Sequence, residues 1–336
     1  MLLPLLAMLA SWIAPALADE PAPAPASPPE VDEDEGDISE EDARVFNPAP
    51  PHDPIEADYG VVFFGDAGSG TRAQAGVARR VGEFCATTRC DEVVLLGDNF
   101  YPRGVLGPDD PLWTSRFVNV YGSLGLPFWP ALGNHDYLGD PGAEVGWSVP
   151  PGTPTTWNMP SRYYARDVGP ARLIAMDTNG LGPAQKRWLK ATLAAPFGAF
   201  APAGTAPAPA APAPPWTIVY GHHPVWSGGA HGDTRQLRSW AGILSRADFY
   251  LCGHDHDQQV IVRPGLAEVV MGSGGAGLRA TSPTTGSQLT RREFGFGYLA
   301  LHGDTAEVVV VSIDGSVVAR FPFTHAAIEA GAAPPG

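Results

Sequence analysis

Five times in this chain a short apolar run stops at a glycine, and the next residues are ones that bind metal ions. Val61–Phe64 leads into Gly65-Asp66, and Val93–Leu96 into Gly97-Asp98-Asn99-Phe100-Tyr101. Phe128–Leu132 leads into Gly133-Asn134-His135-Asp136, Thr217–Tyr220 into Gly221-His222-His223, and Asp248–Cys252 into Gly253-His254-Asp255-His256. Apolar runs of this length read as strands buried on both faces. The carboxyl ends of strands in an open α/β sheet converge on one crevice, where ligands bind. A glycine at each end lets the backbone turn sharply and approach an ion closely. His254 and His256, two apart in extended chain, are expected to point to the same side. Asp, Asn, His and Tyr without a thiolate suit borderline-to-hard metals. A single Gly-Asp or Gly-His pair means nothing; five in series constrain the chain to a layered α/β fold built around a metal site.

The remaining patterns fit that frame. Leu173–Met176 is a further apolar run, and residues 71–84 place apolar side chains at 73, 77, 81 and 84. Ala184–Leu193 follows Pro183 at a suitable first helical position, and Leu237, Trp240, Ala241 and Leu244 have helical spacing. Segments 307–313 and 316–321 flank Asp314-Gly315, a hairpin signal. At 336 residues and 44% apolar content, a sizeable core is within reach. The net charge of −15 belongs to the first 58 residues, which hold 14 of the 36 acids. The rest is close to neutral, so a basic nucleic-acid footprint is excluded.

Leu2–Leu17 is apolar, interrupted by Pro4 and Pro15, and closes at Ala16-Leu17-Ala18. It reads as a secretory signal over 1–18, cleaved after Ala18, and is short for a ~30 Å bilayer core. A secreted or periplasmic protein with no stable membrane anchor is expected. Residues 19–57 read as a Pro/Ala-rich and acidic spacer, 58–325 as the catalytic domain and 326–336 as a tail. An Ala/Pro-rich surface insert is expected at 196–215. Cys85 and Cys90 are able to pair, and the spacing leaves that open; Cys252 reads as buried and inert. Gly272–Gly277 formally fits a dinucleotide fingerprint. The following Leu278-Arg-Ala-Thr-Ser-Pro283 does not open a helix, so a loop at the metal edge is expected instead.

Gly97-Asp-Asn-Phe-Tyr101, Trp157-Asn-Met-Pro-Ser-Arg-Tyr163, His223-Pro-Val-Trp-Ser227 with His231, and Tyr250-Leu-Cys-Gly-His-Asp-His256 together resemble the purple acid phosphatases. These are calcineurin-like metallophosphoesterases, and the small mammalian-type, tartrate-resistant members look most similar, over about 58–323. Ordinary metallophosphoesterases place a His ligand two residues after the first Asp. Here that position is Gly68, and Tyr101 stands where the purple enzymes supply a phenolate. The resemblance implies two mixed β-sheets packed face to face with helices on the outer faces. It implies Fe(III) held by Asp66, Tyr101, His256 and a bridging Asp98, and a divalent ion (Fe(II), Zn or Mn) held by Asp98, Asn134, His222 and His254. His135 and His231 resemble the family's catalytic histidines, with His135 as general acid; His223 receives no ligand role. The activity implied is hydrolysis of phosphomonoesters by metal-bound hydroxide, on a small phosphate ester or a phosphorylated protein. A phosphodiesterase or nucleotidase using the same centre is the alternative within the class, and a non-catalytic metal-binding exported protein the alternative outside it.

Overall fold

A computed structural model describes residues 49–201 and 215–332. The expected signal, most of the spacer and most of the Ala/Pro insert lie outside the described residues. The first sheet holds β1 (Tyr59–Phe64), β2 (Glu92–Leu95), β3 (Pro127–Pro130), β4 (Thr156–Trp157), β12 (Gly295–His302), β13 (Thr305–Ser312) and β14 (Val317–Thr324), in the order β14-β13-β12-β1-β2-β3-β4. The second holds β5 (Tyr164–Val168), β6 (Ala171–Ala175), β7 (Trp216–Tyr220), β8 (Phe249–Cys252), β9 (Gln258–Arg263), β10 (Leu266–Met271) and β11 (Ser287–Arg291), in the order β11-β9-β10-β8-β7-β6-β5. Both are mixed: β1 pairs parallel with β2 and antiparallel with β12, and β8 pairs parallel with β7 and β10.

Period-two alternation explains why the central strands read as unbroken apolar runs. In β7, Trp216, Ile218 and Tyr220 enter the core between the sheets, while Val219 joins the outer cluster with Leu189, Leu237 and Leu244. In β8, Phe249 and Leu251 face inward and Tyr250 and Cys252 outward. The outer faces are covered by helices. Helix α1 (Arg72–Cys85) is capped by Thr71, which accepts from the Gln74 N–H, and buries Ala73, Val77, Val81 and Phe84 as the spacing predicts. A π-helical turn (Trp113–Val118) leads into α2 (Asn119–Tyr121), and α3 (Pro183–Ala194) begins at its proline. The stretch with helical spacing around Trp240 forms two short helices, α4 (Arg235–Arg238) and α5 (Ala241–Leu244), because the Ser239 hydroxyl donates to the Gln236 carbonyl and ends the first.

Two boundaries differ from the sequence reading. His52 stacks on Phe84, and Ile55 and Ala57 pack on the core, so ordered packing begins before residue 58. Beyond β14, α6 (His325–Ala330) buries Ile328, whose carbonyl accepts from the Gly265 N–H, so the packed region continues past 325. Cys85 and Cys90 form a disulfide, and Cys252 is a buried free thiol.

One ion pair ties the sheets together. Arg166 on β5 donates to both oxygens of Glu92 on β2 at 2.8 and 2.9 Å, and its guanidinium lies 3.7 Å over the Trp129 ring on β3. Both side chains are buried. Removing one partner of such a pair strands the other charge, whereas replacing both by apolar groups is much less harmful. We therefore expect Arg166→Met to lose about 3–5 kcal/mol in urea unfolding and Glu92→Leu/Arg166→Met to recover most of it. Equal losses in the two variants would refute the pair's role as a matched bridge.

Candidate metal centre

The ends of β1, β2 and β3 in one sheet and of β7 and β8 in the other open onto the same edge, and the polar side chains that follow them meet there. The Tyr101 hydroxyl lies 3.1 Å from Asp66 Oδ1, 2.9 Å from Asp98 Oδ2 and 3.3 Å from His256 Nε2. His256 Nε2 is 3.2 Å from Asp66 Oδ1. This makes one quartet. In the second, His222 Nε2 lies 3.0 Å from Asn134 Oδ1, 3.4 Å from Asp98 Oδ2 and 3.2 Å from His254 Nδ1. Asp98 Oδ2 belongs to both. Metal–ligand bonds of about 2.0–2.2 Å give ligand–ligand edges of roughly 2.8–3.6 Å in octahedral or tetrahedral sites. Every contact above falls in that range, so the side chains fit two adjacent ions.

The surroundings aim these groups inward. His222 Nδ1 donates to the Leu96 carbonyl at 2.9 Å and His256 Nδ1 to the Gly277 carbonyl at 2.7 Å, leaving Nε2 of each as the ligand atom. Among the described residues, the non-glycine positions with positive φ are Asp66, Asp98 and His254, all members of the quartets. Such backbone is disfavoured for residues with a Cβ and persists where the surroundings enforce it. At Gly133 a Cβ would fall 2.0 Å from Asp98 Oδ1, which is why the third strand end must be glycine.

The extended-chain expectation for His254 and His256 does not hold. Residues 254–257 bend, with His254 at φ 71° and its N–H on Asp66 Oδ2 at 2.8 Å. Asp255 and Asp257 donate their N–H groups to the carbonyls two residues back. Consequently His254 serves the second quartet and His256 the first.

Burial raises the Tyr101 phenol, and Asp66 and Asp98 beside it raise it further. Burial also works against ionised Asp98, yet His222 and His135 hold its carboxyl well below the usual range. Burial lowers the His222 imidazole, yet Asp98, Asp66 and the Leu96 carbonyl together push it up to about 9. The pocket's anionic oxygens thus draw positive charge.

Beneath Asp98 lies a buried polar layer whose pairings join residues distant in the chain. Asp136 accepts from the N–H groups of Asn99, Phe100 and Gly133, and Asn99 Nδ2 reaches the Ala131 carbonyl, Asp136 and Glu144. Phe100 packs edge-on to Trp113, anchoring the residue that precedes Tyr101. Asp255 accepts from the His231 N–H at 2.7 Å and from the Ser227 hydroxyl. His135 Nδ1 donates to the Pro102 carbonyl at 2.7 Å, its ring rests on Tyr101, and its Nε2 stands 4.0 Å from Asp98 Oδ2. His231 stacks on His254 with ring centres 4.2 Å apart. His223 pairs its Nδ1 with the Thr178 hydroxyl at 2.8 Å while its ring lies 4.4 Å from that of His254.

Residues 59–258 match the family model described as calcineurin-like phosphoesterase. Tartrate-resistant acid phosphatase type 5 from Mus musculus is 28% identical over 59% of this chain and 64% of its own length, and that from Sus scrofa 30% identical over 59% and 62%. The match thus spans less than two thirds of those relatives. Purple acid phosphatase 3 from Arabidopsis thaliana is 29% identical over 78% of this chain and 76% of its own. Two solved structures share the fold. GAP50, the anchor in the inner membrane complex of Plasmodium, has a TM-score of 0.66 at 23% identity, covering 84% of this chain and 100% of that one. Purple acid phosphatase PPD1 from yellow lupin seeds has 0.61 at 19%, covering 86% and 58%. With more than half its length under the family model and a metal-fitting edge where its strands end, the chain belongs to the calcineurin-like phosphoesterases.

Proposed function

We propose that this chain is a dinuclear metal-dependent acid phosphatase that hydrolyses phosphomonoesters. The observation that carries the reading is Asp98 Oδ2, shared by two quartets of ligand atoms. The fold alone supports less, since one fold hosts many functions. Asp66, Asp98 and Tyr101 give the first quartet three hard oxygen donors, which favours Fe(III) there. Asn134, His222 and His254 with Asp98 suit a divalent ion such as Fe(II), Zn or Mn. When bound, the pair supplies Lewis acidity and makes water a competent nucleophile.

The chain's own residues supply the remainder. The attacking water's oxygen bonds to phosphorus, the bond from phosphorus to the alcohol oxygen breaks, and that oxygen needs a proton. His135 is suited to give it. Its Nδ1–H is committed to the Pro102 carbonyl, so proton exchange runs through Nε2, which faces Asp98. His231 is less suited, because its Nε2 receives a hydrogen bond from Arg279 at 2.7 Å.

Export is part of the proposal. The apolar segment ending at Ala18 has the form of a cleavable signal, and a disulfide at Cys85–Cys90 suits an oxidising compartment. Among the described residues no helix is long and apolar enough to cross a membrane.

Chelator dialysis is expected to abolish turnover of p-nitrophenyl phosphate, and iron with zinc to restore it. Metal-replete protein should show a visible phenolate-to-Fe(III) band that Tyr101→Phe loses; a band surviving in that variant sinks the Tyr101 assignment. Faster turnover of bis(p-nitrophenyl) phosphate than of the monoester would favour a phosphodiesterase. His135→Ala should slow alkyl phosphates by about 10²–10⁴-fold and activated aryl phosphates far less, because only an alkoxide needs the proton. Equal losses on both would mean that His135 positions rather than protonates.

A further inference from the structure

Two carboxyl groups lie under the turn that carries Asp98 and Tyr101, and neither belongs to a ligand quartet. Asp136 accepts from the N–H groups of Asn99, Phe100 and Gly133 and from Asn99 Nδ2. Each of those backbone groups neighbours a ligand in the chain: Asn99 follows Asp98, Phe100 precedes Tyr101 and Gly133 precedes Asn134. Glu144 comes from a separate segment and is fully buried. Its Oε2 accepts from the same Asn99 Nδ2 at 3.0 Å, and its Oε1 meets no donor among the described residues. The segment is pinned where it stands. The Glu144 carbonyl accepts from Trp157 Nε1 at 2.9 Å, and the Gly146 N–H donates to the Met159 carbonyl at 2.8 Å.

We infer that Glu144 is a positioning residue for the metal centre: its carboxyl clamps Asn99 and Asp136 and so fixes the turns that present Asp98, Tyr101 and Asn134. The inference rests on the reading of this edge as a dinuclear centre and is independent of which ester is cleaved there. Two neighbouring carboxyls in a buried layer do not both ionise without a compensating cation, and the donors that reach this pair are neutral amides. Asp136, with four N–H groups on it, is the one suited to the charge. Glu144, with one N–H and a bare oxygen, is the one suited to keep the proton. Burial pushes its carboxyl well above the usual carboxylate range, and Asp136 raises it further. The Glu144 O–H then donates to Asp136, which satisfies the remaining oxygen and steers the Asp136 carboxylate toward its backbone donors. A charged Glu144 would instead repel Asp136 out of that geometry.

The test uses the full chain stripped of metal, with Glu144→Gln and Glu144→Met. Gln keeps the size, accepts from Asn99 and donates to Asp136, whereas Met keeps the size and does neither. Zinc affinity by calorimetry should fall about tenfold to a hundredfold in Glu144→Met and stay within about threefold in Glu144→Gln. Hydrogen exchange reads the same clamp without metal. The amides of Asn99, Phe100 and Gly133 should exchange about tenfold faster in Glu144→Met, while those of Val62 and Val219 in the central strands keep their rates. Glu144→Asp, one methylene short of its partner, is judged by the same criterion and keeps the test decisive if Glu144→Met does not fold. Unchanged zinc affinity in Glu144→Met overturns the inference. So does an equal loss in Glu144→Gln, which would mean that a carboxylate and not a neutral acid is needed there. If the unaltered chain binds no zinc, the metal reading itself fails, and the exchange pattern alone decides whether Glu144 holds the turns.

Discussion

Everything at this edge hangs on the Asp98 carboxylate. One of its oxygens lies between Tyr101 and His222, and the other accepts the His135 N–H. A buried carboxylate so placed is costly unless positive charge and N–H groups surround it. The neighbouring chain is arranged around that need. Gly133 clears space beside it, and Asp136 below organises the backbone N–H groups of three neighbouring residues without competing for the pocket.

Asp66, Asp98 and His254 carry a disfavoured backbone at the points where strands hand over to ligands. Each such residue costs about 1–3 kcal/mol. That cost has to be offset by parts of the molecule that take no part in chemistry. The double-faced core strands, the bidentate Arg166–Glu92 bridge and the aromatic packing of Phe100, Trp113 and Trp157 are those parts. Local strain at the edge is thus sustained by long-range packing behind it.

The same division explains what could be read from the sequence. Strand, glycine and ligand lie within a few residues of one another, so the five strand ends were legible as a repeated local pattern, as was α1 from its spacing. The bend at His254 was not, because it depends on Asp66, 188 residues away. Nor were the Arg279–His231 contact or the Glu92–Arg166 bridge, whose partners are set by topology, not by neighbourhood. Asp255 sat in plain view between two histidines. Its role in holding His231 emerged only once the 227–231 loop was seen lying on it.

Gly68 and Tyr101 illustrate how two apparently separate features form one constraint. In ordinary relatives a histidine two residues after the first Asp is a ligand; here a Cβ at position 68 would lie 1.9 Å from the Asn99 carbonyl oxygen. No side chain fits there while the backbones are this close. The closeness is itself used, because the Tyr101 N–H donates to the Gly68 carbonyl at 3.0 Å and the Gly68 N–H points to the Asp98 carbonyl. Drawing residues 98–101 against 68 is what carries the Tyr101 hydroxyl between Asp66 and Asp98. A ligand from position 68 and a ligand from position 101 therefore exclude one another in this backbone. A histidine at 68 would have to push the 98–101 segment away, and with it the phenol, so the donor set can change from oxygen to nitrogen only as a unit.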